Sequence, residues 1–429
     1  LIQKNGLFHK TEQPFFDENK APEDTAAEFF DADGDGDLDL YVGEGGNNKT
    51  LGSVFFSDRL YLNDGAGNFR LNPFSLPQTG YNTAFVLPFD YDGDGDTDLL
   101  VGSRSTPLNY GFPPQSYLME NDGQGTFSNV SASKASILRT IGMVTDATLG
   151  SFSAPGAKEI VVTGEWMAPV LLEYGPFGLM EKKSSLQDYP GWWNGVEAAD
   201  MDGDGDVDLV LGNRGENFYF TGNEEEPVKL WLGDMDKNGT IENIITRTID
   251  GKDMPVPMKA ELTDQVVSLK KQNLKHTEYA KKSIQELFPK EVLDKSLVLK
   301  ATWFKSVIAY NEGGGNFRME ALPASSQFSC ICGIYCADVN KDGQTDVVVA
   351  GNDHGFMPQY SQLDANFGQV LLNEQGKFSV MPSAQSGFMV RGVVRKILPL
   401  SIGGKEGFIV AVNNDTPKIF LLNQGDQVN

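Results

Sequence analysis

The stretch "FFDADGDGDLDLYVG", residues 29–43, sets five aspartates within nine positions, directly before a run of apolar side chains. Like charges a few Å apart repel by about 1 kcal/mol per pair in water, and by more at a partly dry surface. Asp31, Asp33, Asp35, Asp37 and Asp39 therefore crowd together at a cost that a cation would reverse. Ca2+ suits such a set, because it accepts about six to eight hard oxygen ligands in flexible geometry. The alternating spacing predicts that Asp31, Asp33, Asp35 and Asp39 turn their carboxylates inward while Asp37 adds its backbone carbonyl. Gly36 falls where the loop must turn sharply and supplies the φ freedom the turn needs.

The pattern recurs. "DYDGDGDTD", residues 90–98, supplies Asp90, Asp92, Asp94, Asp96 and Asp98. "DMDGDGDVD", residues 200–208, supplies Asp200, Asp202, Asp204, Asp206 and Asp208. "DMDKNGTIE", residues 234–242, offers Asp234, Asp236, Asn238, Thr240 and Glu242. "DVNKDGQTD", residues 338–346, offers Asp338, Asn340, Asp342, Gln344 and Asp346. The five loops hold 21 of the 59 acidic residues, and about five Ca2+ sites are expected from them. An EF-hand is excluded. It needs a bidentate glutamate at the twelfth position and flanking helices, whereas Val42, Val101 and Leu211 stand there within β-type runs.

Composition agrees with an all-β chain: 47 glycines accompany few helical patterns in 429 residues. The formal charge of −24 opposes nucleic-acid binding, which needs a basic surface. No apolar run is long enough to cross a membrane as a helix. Leu1 is not an initiator methionine, so the chain reads as a mature or trimmed piece, and a longer secreted protein around it is expected. Extracellular loops of this kind hold calcium at roughly 0.1–1 mM, which points to an extracellular, cell-surface or periplasmic location. Cys330, Cys332 and Cys336 in "FSCICGIYC" are odd in number and read as buried free thiols. Zinc would need a fourth ligand from another direction, and His354 is the one candidate.

The loops mark a repeat of roughly 56 residues. Its first aspartates fall at 31, 90 and 200, with a degenerate unit at residues 143–166 that retains Asp146 and a last unit at residues 393–415 without a metal loop. Each unit adds a hairpin such as "RLYLNDGAGNFRL", residues 59–71, whose Asn-Asp-Gly is a turn signal. Four strands per unit, repeated radially, describe a β-propeller. The expected fold is all-β: a seven-bladed β-propeller of four-stranded blades, one domain over residues 1–429. "IFLLNQGDQ" near the end and "IQKNGLFHK" near the start suggest that the N-terminal segment completes the last blade. The Asp234 loop is expected to join the third and fourth strands of the fourth blade. Residues 251–300 carry ten lysines against seven acidic residues and show helical spacing at Leu262, Val266 and Leu269 and at Ala280, Ile284, Leu287 and Phe288. They read as a small helical insertion in the propeller.

"DxDGDGDxD" before a strand, followed by "LYLNDGxGNF", resembles the VCBS/FG-GAP repeat family, seen in integrin α-chain propellers and bacterial secreted or surface proteins. The resemblance covers roughly residues 29–420 apart from the helical insertion. It implies a seven-bladed calcium propeller with Ca2+ in the loop between the first and second strands of a blade, held by the loop positions named above.

The turns after the second strands must gather on the face opposite those loops. They would bring together Glu44, Arg104, Glu165, Trp166, Arg214, Asn352, Asp353 and His354, with Trp192 from "GWWNG" nearby. Aromatic faces beside carboxylates and arginines suit a glycan or a peptide segment, although inter-blade packing also explains the tryptophans. The chain is expected to be a calcium-stabilised binding or adhesion module with a glycan or protein partner. A polysaccharide lyase or hydrolase and a structural part of a longer surface protein are the alternatives. No GxSxG, HExxH or P-loop fixes a catalytic group.

Overall fold

The computed structural model describes residues 2–4, 7–47, 49–272, 275–360 and 362–422. Its strands form antiparallel sheets that follow one another along the chain. Sheet 1 pairs Glu23–Phe30, Asp39–Gly45, Arg59–Asn63 and Phe69–Leu71 in that order. Sheet 2 pairs Asn82–Phe89, Asp98–Ser105, Tyr117–Asn121 and Phe127–Asn129. Sheet 3 pairs Met143–Gly150, Glu159–Met167, Val170–Gly175 and Gly178–Lys182, with Gly191–Trp192 joined to the end of its second strand. Sheet 4 pairs Gly195–Ala199, Asp208–Gly212, Val307–Asn311 and Phe317–Ala321. Sheet 5 pairs Ile331–Ala337, Asp346–Gly351, Gln369–Glu374 and Lys377–Met381. Sheet 6 has Val394–Ile402, Lys405–Val412 and Lys418–Leu421.

The second strands explain the stacking. "LVLG" in sheet 4 and "VVVAG" in sheet 5 are apolar at consecutive positions, so both of their faces must be covered. Each sheet supplies one cover for its neighbour. Tyr41 and Leu60 of sheet 1 pack with Leu99 of sheet 2, and Leu100 and Leu118 of sheet 2 pack with Ile160 and Leu172 of sheet 3. The same interleaving joins Val161 to Leu209, Val210 to Val347, and Val348 to Val410. Each fully buried side chain of this size contributes about 1.5–3 kcal/mol, so the inter-sheet layers are the main source of stability.

The glycine that ends a second strand is there for close approach. A Cβ on Gly351 would stand 1.9 Å from the Cys330 carbonyl oxygen, and one on Gly212 would stand 2.4 Å from that of Ile331. The first strands of consecutive sheets lie side by side. Lys396 on the first strand of sheet 6 reaches both carboxylate oxygens of Asp146 on the first strand of sheet 3 at 2.8 Å, which ties distant sheets together.

Three expectations differ from this arrangement. Among the described residues the stack contains six sheets. A further four-stranded sheet, ordered Lys252–Pro255, Glu242–Ile249, Val228–Gly233, Leu297–Ala301, lies between the second and third strands of sheet 4. The Asp234 loop joins two strands of that extra sheet, not the third and fourth strands of the fourth repeat. Its local pattern copies a repeat turn, so pattern alone could not tell an inserted sheet from a blade. The insertion accordingly runs from residue 213 to 306 and is larger than its helical part. Short helices Lys259–Gln265, Leu269–Gln272, His276–Tyr279, Ile284–Leu287 and Lys290–Leu293 pack Leu262, Val266, Leu269, Ile284, Leu287 and Phe288 against Trp231 and Ile244 of the sheet.

The third difference is at the N-terminus. Ile2–Lys4 pairs with Leu7–His9 in a hairpin of its own, and no closing strand on sheet 6 occurs among the described residues. Asn-Gly between short apolar runs is itself a hairpin signal. The following helix Pro14–Glu18 sets Phe16 against Tyr61 and Phe69 of sheet 1. Residues 423–427 of "IFLLNQGDQ" lie outside the described residues.

Candidate functional site

The acidic loops share one hydrogen-bond plan. The first aspartate accepts backbone N–H groups through both oxygens: Asp31 from Gly34 and Gly36, Asp90 from Gly93 and Gly95, Asp200 from Gly203 and Gly205. The variant loops keep this plan, with Asp234 bound by Asn238 and Gly239, and Asp338 by Asp342 and Gly343. The sixth-position glycine lies at φ +92 in the first loop and +88 in the fifth, the left-handed region that favours glycine. Fifth-position side chains cap the seventh N–H, as Asp35 does for Asp37, Asp94 for Asp96, Asp204 for Asp206, Asn238 for Thr240 and Asp342 for Gln344.

The ninth carboxylate is buried and anchors the loop. Asp39, Asp98, Asp208, Glu242 and Asp346 each accept the N–H of the second loop residue, at 2.7–3.2 Å. Four of them accept a second N–H from an asparagine at or next to the end of the third strand: Asn63, Asn121, Asn311 and Asn373, at 2.7–2.9 Å. Those asparagines also donate to the loop carbonyls of Leu38, Thr97, Val207 and Thr345. Asn121 and Asn373 reach further, to the carbonyls of Ala32 and Met201 in the loop of the preceding sheet. Sequence reasoning missed this asparagine, although its signal recurs in "LYLN", "LMEN", "IAYN" and "LLNE".

Carboxylate oxygens converge within 4.8 Å in four loops: Asp31, Asp33 and Asp39; Asp90, Asp92, Asp94 and Asp98; Asp200, Asp202 and Asp208; Asp234, Asp236 and Glu242. These clusters could hold a metal ion. Asp35 and Asp204 do not join theirs, and the seventh-position side chains stay outside as well. In the fifth loop Asp338, Asp342 and Asp346 do not converge in this way among the described residues, and the Asn340 amide donates to Asp342 at 2.9 Å.

The donor set fits a hard cation. Asp33 Oδ1, Asp37 Oδ1 and Asp236 Oδ1 are buried acceptors without a hydrogen-bond partner, and a buried orphan acceptor is costly unless something positive meets it. Burial raises the Asp98 carboxyl to about 7 and the Asp208 carboxyl to about 6, with neighbouring aspartates adding to the rise. Asp37, Asp39, Asp202 and Asp346 shift upward for the same first cause. Carboxylates clustered and partly dried resist ionisation unless a cation joins them.

Sheet 3 carries an ammonium where sheets 1, 2 and 4 carry an acidic cluster. Its turn "SFSAPGAKE", residues 151–159, has the same nine-residue length, with Gly156 at φ +77 and Glu159 accepting N–H groups from Phe152 and Ser153 at 2.7 and 2.8 Å. Lys182 from the fourth strand brings its ammonium to 2.9 Å from Glu159. Asp146, read from the sequence as a remnant of this loop, lies instead within the first strand and pairs with Lys396. Lys182→Met leaves the Glu159 charge uncompensated and is expected to destabilise the protein by about 2 kcal/mol, because breaking a buried pair strands a charge. Urea unfolding with and without EDTA checks this: the loss should be the same in both.

The opposite face contains an ion network. Arg104 and Arg214 approach Glu165 Oε1 at 2.6 and 3.2 Å, and the Tyr110 hydroxyl donates to Oε2 at 2.8 Å. Arg214 also pairs with Asp353. Burial opposes ionisation of Glu165, but the two guanidiniums outweigh it and hold the carboxyl below its ordinary value. Trp166 donates its indole N–H to Tyr110 at 3.0 Å and packs on Trp192 with ring centroids 4.7 Å apart. The Arg214 guanidinium lies 4.8 Å from the Trp192 ring.

Six of the nine residues expected on this face therefore meet: Arg104, Glu165, Trp166, Trp192, Arg214 and Asp353. Both tryptophans are buried with Phe218 and Phe220 and present no open ring face, so they pack the core instead of offering a sugar platform. Arg104 is 43 % exposed against 1 % for Glu165, which makes Arg104 the accessible end of the network. Glu44 lies apart from it, buried 2.5 Å from Arg59. Asn352 is structural, bonded to Ser329, Asn366 and Gly392. His354 is exposed. Among the described residues, the three cysteines join no cluster with His354 or a carboxylate that would hold zinc.

A family model described as an FG-GAP-like repeat matches residues 31–101, which runs from the first acidic loop to the middle of the second strand of sheet 2. No curated protein matches the chain. Solved structures with some likeness include the rhamnogalacturonan lyase YesW, at 12% identity over 93% of this chain and 71% of that one, with a TM-score of 0.34. The Bacillus licheniformis rhamnogalacturonan lyase PL11 gives 11% identity, 93% and 71% coverage and 0.33. The V. cholerae biofilm matrix protein Bap1 gives 12% identity, 91% and 85% coverage and 0.32. Likeness at this level does not establish a shared fold. No helix of the described residues is long and apolar enough to cross a membrane.

Proposed function

We propose that the stacked sheets close as a calcium-stabilised β-propeller and that the module acts outside the cytosol, recognising a glycan or protein partner on the face opposite the acidic loops. The observation that carries the reading is the set of four convergent carboxylate clusters, each on a recurring strand-to-strand turn, with orphaned buried oxygens in the loops of residues 31–39 and 234–242. The six-sheet stack favours six blades with an inserted sheet over the seven read from the sequence. Five loops are proposed to take Ca2+, with the Asp338 loop reordering to do so. Weak sites of this type fill where calcium is abundant, which supports an extracellular, cell-surface or periplasmic setting.

Arg104, Asp353 and the exposed His354 are the polar groups of the opposite face that a partner would meet first. A polysaccharide-cleaving role gains less support. Glu165 has both oxygens engaged and is held ionised by Arg104 and Arg214, a poor state for a general acid or base.

A glycan and protein array probed in calcium and again in EDTA tests the reading. Binding is expected in calcium only. Arg104→Ala should weaken it by about tenfold or more, as loss of a charged contact does, with little change in melting temperature because Arg214 still compensates Glu165. Absence of binding in both buffers would leave a structural role in a longer surface protein.

A further inference from the structure

Cys330 and Cys332 flank Ile331 where the first strand of sheet 5 bulges. Pairing steps from Ile331 opposite Gly351 to Gly333 opposite Ala350, so Cys332 is the extra residue. In a regular strand, residues i and i+2 stand about 6.6 Å apart, near the upper limit for a disulfide of about 6.8 Å between Cα atoms. A bulge bends the strand and disrupts that spacing. Here the two sulfurs share an S–H···S contact at 3.9 Å.

Access divides the pair. Cys330 is fully buried and Cys332 is half-buried. Arg214, the centre of the ion network, and Arg395 both act on Cys332. The contact between the two sulfurs and these two guanidiniums, against burial, hold the Cys332 thiol below its ordinary range, whereas the same contact and burial push Cys330 well up. Burial likewise pushes Cys336 up, with no guanidinium to offset it. An accessible low-lying thiol beside a buried second one is the arrangement of an attacking and a resolving cysteine.

We propose that Cys330 and Cys332 form a peroxide-reactive dithiol that closes to an intrachain disulfide. The Cys332 thiolate attacks hydrogen peroxide, an S–O bond forms, the O–O bond breaks, and hydroxide leaves to be protonated to water. The Cys330 sulfur then displaces the sulfenic oxygen. An S–S bond forms, the S–O bond breaks, and the oxygen departs as water with the Cys330 proton. Two thiols lose two electrons and one peroxide becomes two waters. The disulfide would lie against Arg214 and the Trp166–Trp192 cluster, and so would register on the network face.

The test uses the whole chain, reduced, desalted and exposed to hydrogen peroxide, then alkylated under denaturing conditions and weighed. The expected product has lost about 2 Da, takes up one alkyl group at Cys336, and yields a peptide with Cys330 joined to Cys332. Cys330→Ser should stop the reaction at a Cys332 sulfenic acid, trapped by dimedone. Cys332→Ser should slow oxidation of Cys330 by about tenfold or more, as expected when the accessible thiolate is lost. Three alkyl groups on the peroxide-treated wild type, a stable Cys332 sulfenic acid in it, or Cys336 reacting first would overturn the proposal.

Discussion

Chelation with EDTA is expected to lower the melting temperature of this protein by roughly 10 °C from its value in about 10 mM calcium, since a native-only site with a Kd of about 0.1 mM is then held at about a hundred times its Kd and adds about 2.7 kcal/mol, and about a degree of melting temperature accompanies each kcal/mol in a chain of this size. Four clusters converge, so their gross contribution is about 10 kcal/mol on the same arithmetic. The effect should be large for a structural reason. In four of the five loops the ninth carboxylate also anchors an asparagine of the third strand, and in two cases that asparagine grips the loop of the preceding sheet. Repulsion released in one loop therefore loosens a joint between sheets. Calcium should restore the loss fully. Magnesium should restore less, because it demands near-octahedral geometry and sheds water reluctantly. Differential scanning calorimetry in EDTA, calcium and magnesium reads all three.

Glu165→Gln is expected to cost about 3–5 kcal/mol, the usual penalty for removing one partner of a buried ion pair. The carboxylate is 2 % exposed and compensates Arg104 and Arg214 together. Without its charge, Arg214 keeps only Asp353, and the single amide oxygen of glutamine must serve the positions of two carboxylate oxygens, one facing the guanidiniums and one facing Tyr110. Glu165→Met combined with Arg104→Met should cost less than the single change, because Arg214 then keeps Asp353 and no charge is stranded. The pH dependence has a definite sign. Glu165 and Asp353 are both held below their ordinary values, Glu165 by Arg104 and Arg214 and Asp353 by Arg214, against an opposing burial effect in each. Their contribution is present above the unfolded-state carboxyl range and is lost as pH falls through the lowered folded values. Urea denaturation of wild type and Glu165→Gln should therefore converge as the solution is made acidic.

Much of this was legible in the sequence. The five acidic loops, the hairpins and the turn glycines all have local causes, and a local cause leaves a local pattern. The network of Arg104, Glu165, Arg214 and Asp353 was also within reach, because the ends of second strands must share one face. What escaped depended on pairing at long range. Nothing near residue 212 announces that the third strand of sheet 4 resumes at Val307. Lys182 stands 23 residues after the Glu159 it neutralises, so its role appears only once the fourth strand folds back on the turn. The burial of Trp166 and Trp192 depends on Phe218 and Phe220, which arrive from the insertion. The Cys330–Cys332 approach needed a bulge, and a strand read as regular hides it.

The central claim is that divalent ions neutralise the acidic loops and thereby hold the sheets together. Anomalous scattering from crystals grown in calcium tests it most directly. Peaks are predicted within the loops of residues 31–39, 90–98, 200–208, 234–242 and 338–346, and none at residues 151–159, where Lys182 supplies the positive charge. Loops without peaks at millimolar calcium, with their carboxylates turned outward to solvent, would contradict the account.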